Sequence, residues 1–439
     1  MTGRLRSTPF LPRRAVTVAA ATAVCASLLA GCGLAGASSA TKDPVTVMTW
    51  APEGTAATNM PGMPAMAKAY ARWVNEKGGI NGRELKVITC NEHNDTVSAG
   101  RCARRAVAED VAAVVGSYSQ HGRAFMSPLE SEGIPYIGGY GVTDEEFTSP
   151  LSYPVNGGHA TLIAGSGRQL AAHCERVTLV RPDTINGDQM PSLISAGLAE
   201  GDRERARDVR APEDASQYTR QSEQALELLE VDNLGTEGAC VTAALGDRTD
   251  TFFDSFRRLR QDSRQIRLAS VLGSVQQSLV DRSGGPDSPF EGASITGWYP
   301  VADDPAWDTM RAVVREHAFS DNRVDVSDPG VQTTWIAYTV LHRLIESIGD
   351  GAVTGRSLRQ ALDSGIGADG IDTGGLTPEL SWDYQGTLGA GDYPRIANTM
   401  VSFQEVRDGR LVAAREGFVN VGRTLERRYT YAQNEAATE

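Results

Sequence analysis

At 439 residues, 41% hydrophobic and 22% charged, the chain has the make-up of an ordinary globular protein and exceeds what one core usually holds, so two lobes are expected. Its 55 Asp and Glu against 42 Lys and Arg give a formal net charge of −13. That balance argues against nucleic acid or an anionic lipid surface as partner, because phosphate binding needs clustered cations.

Residues 1–14 hold Arg4, Arg6, Arg13 and Arg14 and no acid, and 15–31 are almost entirely Ala, Val, Leu and small residues. A basic head, a short greasy middle and a small-residue end read as a signal peptide. The apolar middle is shorter than the ~20 residues of a spanning helix. Leu29-Ala30-Gly31-Cys32 resembles the bacterial lipobox, in which the thiol is acylated and cleavage leaves it as the first mature residue. Residues 1–31 are thus expected to be removed and 32–44 to be lipid anchor and flexible tether, holding the protein on the outer face of the cytoplasmic membrane. Losing four arginines and no acid takes the formal charge from −13 to −17. Arg13-Arg14 also hints at twin-arginine export, and Sec or Tat passage stays open.

The first strand is "PVTVMTW" (44–50). Met63, Met66, Ala67, Tyr70 and Val74 then recur at helical spacing, closed by Lys77-Gly78-Gly79. "ELKVITC" is a second strand; Asp95 can cap a helix burying Val97, Cys102, Ala106 and Val107; and "VAAVVG" (111–116) is the unbroken apolar run of a strand covered on both faces. A helix through Met126 and Leu129 leads to "IPYIGG" (134–139). The alternation resumes with helices near 159–172, 190–200, 217–229 and 250–261 and strands at 176–181, "RDVRAP", 239–245, 266–272 and "SITGWYP" (294–300). The last third is more helical, Ala306–His317 and "VQTTWIAYTVLHRLIESIG", before short β-like pieces such as "MVSFQEV" and "GRLVAA". Two runs of alternating β and α with apolar strands indicate two parallel sheets flanked by helices, with ligands beyond the carboxyl ends of the strands.

After Cys32 four cysteines remain, Cys90, Cys102, Cys174 and Cys240. In an exported chain an even count favours disulfides; three pairings are possible, and order along the chain suggests Cys90–Cys102 and Cys174–Cys240. The rival is a metal site, since Cys90-Asn91-Glu92-His93 has ligand-like spacing with Cys102 near. No cofactor is expected. Gly365-Ile366-Gly367-Ala368-Asp369-Gly370 fits GxGxxG but follows the helical "LRQALDS" rather than a strand, so it reads as a helix end. GxSxG, HExxH and GxxxxGK are absent from the sequence, and His159 and His173, which share one helix, are the nearest pair among six scattered histidines. Nothing here signals an enzyme.

"NEKGGINGREL" (75–85), between the first helix and second strand, resembles the type I periplasmic binding proteins, above all the branched-chain amino acid-binding proteins of ABC transporters. "CARRAVAEDVAAVVGSYS", "EGIPYIGG", "GWYP", "TTWIAYTVLHRLIESI", "DTGGLTPELSWDYQG" and "EVRDGRLV" match in order over most of 45–415. The resemblance implies an α/β two-lobed clamshell with three hinge crossings, at which breaks such as Pro150, Gly297 and Pro300 suit bending. Lobe 1 would be 45–155 plus 300–392, lobe 2 would be 156–299 plus 393–425, and 426–439 a tail. It further implies a monomer that closes on a small solute and presents the closed form to ABC permease subunits. A lipid-anchored sensor working with a separate membrane partner is the alternative, because one fold serves both.

Carried over position by position, Ser119 in "GSYSQ" falls where the family holds a ligand's α-carboxylate. A small residue and a Thr fall on Gly141 and Val142, with Thr143 one step on. One aromatic position is Asn186, before Gly187, and another lies near Gly246-Asp247. The acid that neutralises an α-ammonium falls near Gly273-Ser274, which carries no charge, and Asp247 is the available substitute. Tyr118, Gln120 and Tyr140 lie in loops that would line the cleft. These departures point to a small polar solute, amino acid-like or amide-like, other than a standard branched-chain amino acid.

Overall fold

A computed structural model describes residues 42–230, 238–259, 266–366, 370–383, 385–388 and 392–427. The expected signal peptide, Cys32 and nearly all of the expected C-terminal tail lie outside these residues.

The first sheet is parallel throughout, in the order β2-β1-β3-β4-β5, from β1 (Lys42–Ala51), β2 (Arg83–Asn91), β3 (Ala113–Val115), β4 (Tyr136–Ile137) and β5 (Ser152–Tyr153). Between these strands run α1 (Gly62–Glu76), α2 (Thr96–Ala108), α3 (Gly122–Glu132) and the one-turn α4 (Glu145–Thr148). The expected stripe Met63, Met66, Ala67, Tyr70 and Val74 is the buried face of α1. On α2, Asp95 caps as expected, accepting from Ser98 N–H, and Cys102 and Ala106 are buried. Val97 is a correction: it is 71% exposed, because a residue in the first turn beside a capping Asp faces outward here. One face of the sheet packs Met48 and Trp50 against Cys102, Phe125 and Leu129.

The second sheet holds β6 (Arg176–Pro182), β7 (Arg207–Ala211), β8 (Ala239–Ala243), β9 (Arg267–Val271) and β10 (Ser294–Gly297) in the parallel order β7-β6-β8-β9-β10. Its helices are α5 (Gly158–Ala171), α6 (Met190–Ala199), α7 (Thr219–Glu230), α8 (Thr249–Leu259) and α9 (Gln277–Arg282). This sheet is mixed rather than parallel throughout. The late strands β11 (Met400–Arg407) and β12 (Arg410–Ala413) join beyond β10 as an antiparallel hairpin, and β13 (Val419–Asn420) also pairs with β11. The hairpin turns at Asp408-Gly409, both with positive φ (52° and 72°), the conformation an Asp-Gly turn favours.

The chain passes between the sheets three times. After β5, residues 154–157 lead to α5, which packs on α6 and on β9, β10 and β11. After β10 the chain returns to α10 (Asp308–His317) and α11 (Pro329–Ile348), both against α1, and to α12 (Gly355–Ser364) against α11. It then goes back to β11. Pro150 precedes β5 and stands outside the crossings; the first begins at Pro154. The passes are tied together: Tyr299 Oη accepts from Asn156 Nδ2 at 2.9 Å and lies 2.8 Å from Thr333 Oγ1, and Asn398 Nδ2 donates to Val155 O at 3.1 Å. His159 opens α5 and His173 lies beyond its end, so the pair sits at opposite ends of the helix. Gly365 (φ 72°) is the C-cap of α12, the role its position after "LRQALDS" implied.

Candidate functional site

The loops at the carboxyl ends of both sheets meet. Asn59 N–H, in the loop after β1, donates to Asp247 Oδ2 at 3.3 Å, and Arg248 Nη2 donates to Ala56 O at 2.7 Å. Beside these contacts lies a cavity of about 130 Å³, lined by Met60, Asp328 and Pro329 from the first-sheet side and by Asp247, Gly273 and Ser274 from the second. A water's share of liquid volume is about 30 Å³, so the space suits a compact solute.

Its ionisable lining comprises three carboxylates, Asp247, Asp250 and Asp328, and one guanidinium, Arg282. Asp328 caps α11, accepting from Gly330 N–H at 2.6 Å and Val331 N–H at 3.2 Å. Burial, aided by the charges of Asp325 and Asp247 and opposed by the N–H donors, pushes its carboxyl up to about 6. The Asp247 carboxyl is also raised, by the surrounding protein mass, against the Asn59 N–H and the Arg248 charge, although its side chain keeps exposed surface. Ser274 Oγ accepts from Gly246 N–H at 3.1 Å, tying the loop after β9 to that after β8.

Tyr140 reaches this wall from the first-sheet side. A Cβ on Gly273 (φ 94°) would stand 2.3 Å from Tyr140 Oη, so only glycine admits the phenol there. The ring packs edge-on against Tyr118 and Trp298, each at 5.1 Å. Tyr118 Oη accepts from Gln120 Nε2 at 3.1 Å, and the same amide donates to Thr58 Oγ1 at 3.2 Å. Tyr118, Gln120 and Tyr140 therefore form one group, with Tyr140 Oη its point of approach to Gly273 of the cavity wall.

The carboxylate-holding set implied by resemblance is engaged within the chain. Ser119 Oγ donates to Glu92 Oε2 at 3.0 Å and accepts from His121 N–H at 3.1 Å. Glu146 takes the neighbouring donors: its carboxylate accepts from Gly141 N–H at 3.0 Å, Val142 N–H at 2.8 Å and Thr143 N–H at 3.1 Å, with Thr143 Oγ1 at 3.4 Å. Glu92 and Glu146 are 0% and 1% exposed, and burial pushes each carboxyl up to about 7. Asn186 lies at the start of a one-turn 3₁₀ segment (Gly187–Gln189), outside the cavity lining. Sequence reasoning missed Asp328, whose signal was the "SDPG" cap and Pro at a helix start. It also missed Glu92, in the loop after β2, and Glu146, on the one-turn α4, acids that carry no local signature.

Both disulfides suggested by chain order are present, Cys90–Cys102 and Cys174–Cys240, each with Cα atoms 5.8 Å apart. The first uses both thiols of the rival metal set, which removes that reading. No helix among the described residues is long and apolar enough to cross a membrane.

A family model described as "Periplasmic binding protein" matches residues 48–380. Among solved structures, the fold is similar to a branched chain amino acid ABC transporter from Thermus thermophilus with bound valine (TM-score 0.71, 15% identity, covering 89% of this chain and 99% of that one). It is also similar to a solute binding protein of an ABC transporter from Rhodopseudomonas palustris BisB5 in complex with 3,4-dihydroxy benzoic acid (0.66, 15%, 86% and 97%). A solute binding protein from R. palustris in complex with benzoate is a third (0.65, 15%, 86% and 96%). No curated protein matches the chain.

Proposed function

The chain belongs to the periplasmic binding protein family, and from that premise we propose that it is an extracytoplasmic solute-binding lipoprotein of an ABC importer. Lobe 1 (45–155 plus 300–392) and lobe 2 (156–299 plus 393–425) close on a small polar solute. The observation that carries this reading is a cavity whose wall comes from both sides, Asp328 and Met60 on one, Asp247 and Ser274 on the other. A solute touching both sets is held fully only in the closed form, so binding favours closure. Asp247, Ser274 and Tyr140 meet the solute in this reading, with Tyr118 and Gln120 supporting Tyr140. Cys32 carries the lipid that keeps the protein beside its permease.

Similar folds hold valine in one protein and aromatic acids in others, so the fold alone does not choose the solute. A thermal-shift screen of the mature protein with amino acids, amides, urea, small peptides, aromatic acids and amines tests the reading. At least one solute should raise Tm, since a ligand at 100 times its Kd stabilises by about 2.7 kcal/mol. A screen with no hit, joined to scattering profiles unchanged by every solute, overturns it. Uptake of the hit by a deletion strain separates import from sensing.

A further inference from the structure

The loops that would have to receive an anionic group already hold two buried carboxylates. Glu146 takes the N–H groups of Gly141, Val142 and Thr143, and Glu92 takes the Ser119 hydroxyl. A solute carboxylate arriving there would find its donors engaged and a carboxyl group already in its place. The cavity itself adds acids from opposite sides, Asp328 at the start of α11 and Asp247 in the loop after β8, with Arg282 exposed at its edge as the one cation in the lining.

A further observation points to a missing partner. Tyr140 is 3% exposed, its Oη stands against Gly273 of the cavity wall, and the hydroxyl makes no hydrogen bond among the described residues. Asp328 and Asp247 are the cavity carboxylates whose fields reach that phenol. Among the described residues, Asp328 and Asp247 accept from backbone N–H groups only; an ammonium group supplies the charged donor that faces two carboxylates, and a donor for the unpaired phenol oxygen.

We infer that the cleft selects a compact amine bearing no carboxylate, held between Asp247 and Asp328, with Glu92 and Glu146 acting as internal occupants that exclude acidic solutes. This rests on the solute-capture reading above. The test uses the mature protein with ethanolamine, choline and 1,4-diaminobutane as amine probes and L-valine, L-leucine and benzoate as carboxylate probes, read by calorimetry and thermal shift. At least one amine should bind saturably while the three carboxylates do not. Asp247→Asn should weaken that amine at least tenfold with unchanged circular dichroism, and Asp247→Glu should restore most of the loss. Asp328→Asn, which keeps a capping side chain but removes the charge, should weaken it similarly.

Binding of a carboxylate with no amine bound overturns the inference and leaves solute capture standing. Failure of every amine overturns it too, and becomes a failure of solute capture only if the wider screen is also empty. Amine affinity unaffected by both Asp247→Asn and Asp328→Asn overturns the assigned clamp.

Discussion

Glu92 carries an acid into a place without water. Ser119 Oγ and Asn94 N–H both bond its carboxylate, yet desolvation dominates and raises the carboxyl from 4.5 to about 7. The folded state thus binds more protons than the unfolded chain between those pH values, and stability must fall as pH rises through the window. The Glu92 contribution is fully present below pH 4.5 and lost above about 7, a change on the order of 3 kcal/mol. Glu146 acts in the same direction over the same window. Urea melts of wild type and Glu92→Gln at pH 5 and pH 8 check this. The wild type should lose stability toward pH 8, and the variant should lose about 3 kcal/mol less. Parallel losses in both would mean that the Glu92 site stays hydrated.

Helix α11 lies directly on the first sheet because glycines let it approach. A Cβ at Gly138 (φ 64°) would stand 2.3 Å from Ala337 Cβ, and one at Gly116 (φ 58°) would stand 2.9 Å from Thr334. Gly138→Ala should therefore cost about 3 kcal/mol, combining left-handed backbone strain with overpacking. Gly54, also at positive φ (74°) but with nothing within 4 Å of an added Cβ, isolates the backbone part. Gly54→Ala should cost about 1 kcal/mol, and equal losses in a urea melt would show that α11 yields. Elements of this length were legible from periodicity, as the buried stripe of α1 shows. Two-residue strands such as β5 and β13 and the one-turn α4 were not, because a period cannot be read in so few residues. The β-like "MVSFQEV" was recognisable as strand, but its antiparallel direction comes from where the third crossing delivers it. Asp247 and Ser274 could be picked out as residues of post-strand loops. Their partner Asp328 caps α11 in the other lobe, and only the return of the chain after β10 brings it near. That Glu92 and Glu146 fill the donors around Ser119 and Gly141 depends on side chains folding back across a loop, which spacing does not record.

At the scale of the whole molecule, two kinds of contact compete. Those among the crossings, from Asn156 and Thr333 to Tyr299 and from Asn398 to Val155, lie on the axis about which two lobes would turn, and so they can persist in open and closed forms alike. Those at the mouth differ. Arg248 to Ala56 O, Asn59 N–H to Asp247 and Gln189 Nε2 to Asp144 Oδ1 at 3.2 Å join the lobes through loops outside the crossings. Opening would break them, so they bias the equilibrium without solute. A hydrogen bond from a charged donor contributes about 1.5–3 kcal/mol, so removing the Arg248 contact should move the closed-to-open ratio by about tenfold or more toward open. Arg248→Ala should then show a larger radius of gyration than wild type in solute-free scattering, and saturating solute should bring the two profiles together. The apparent Kd should weaken by a similar factor, because part of the binding energy must now supply closure. Matching profiles and matching affinities would mean that the lobes do not move against each other at this mouth, and the clamshell account of capture would fall with them.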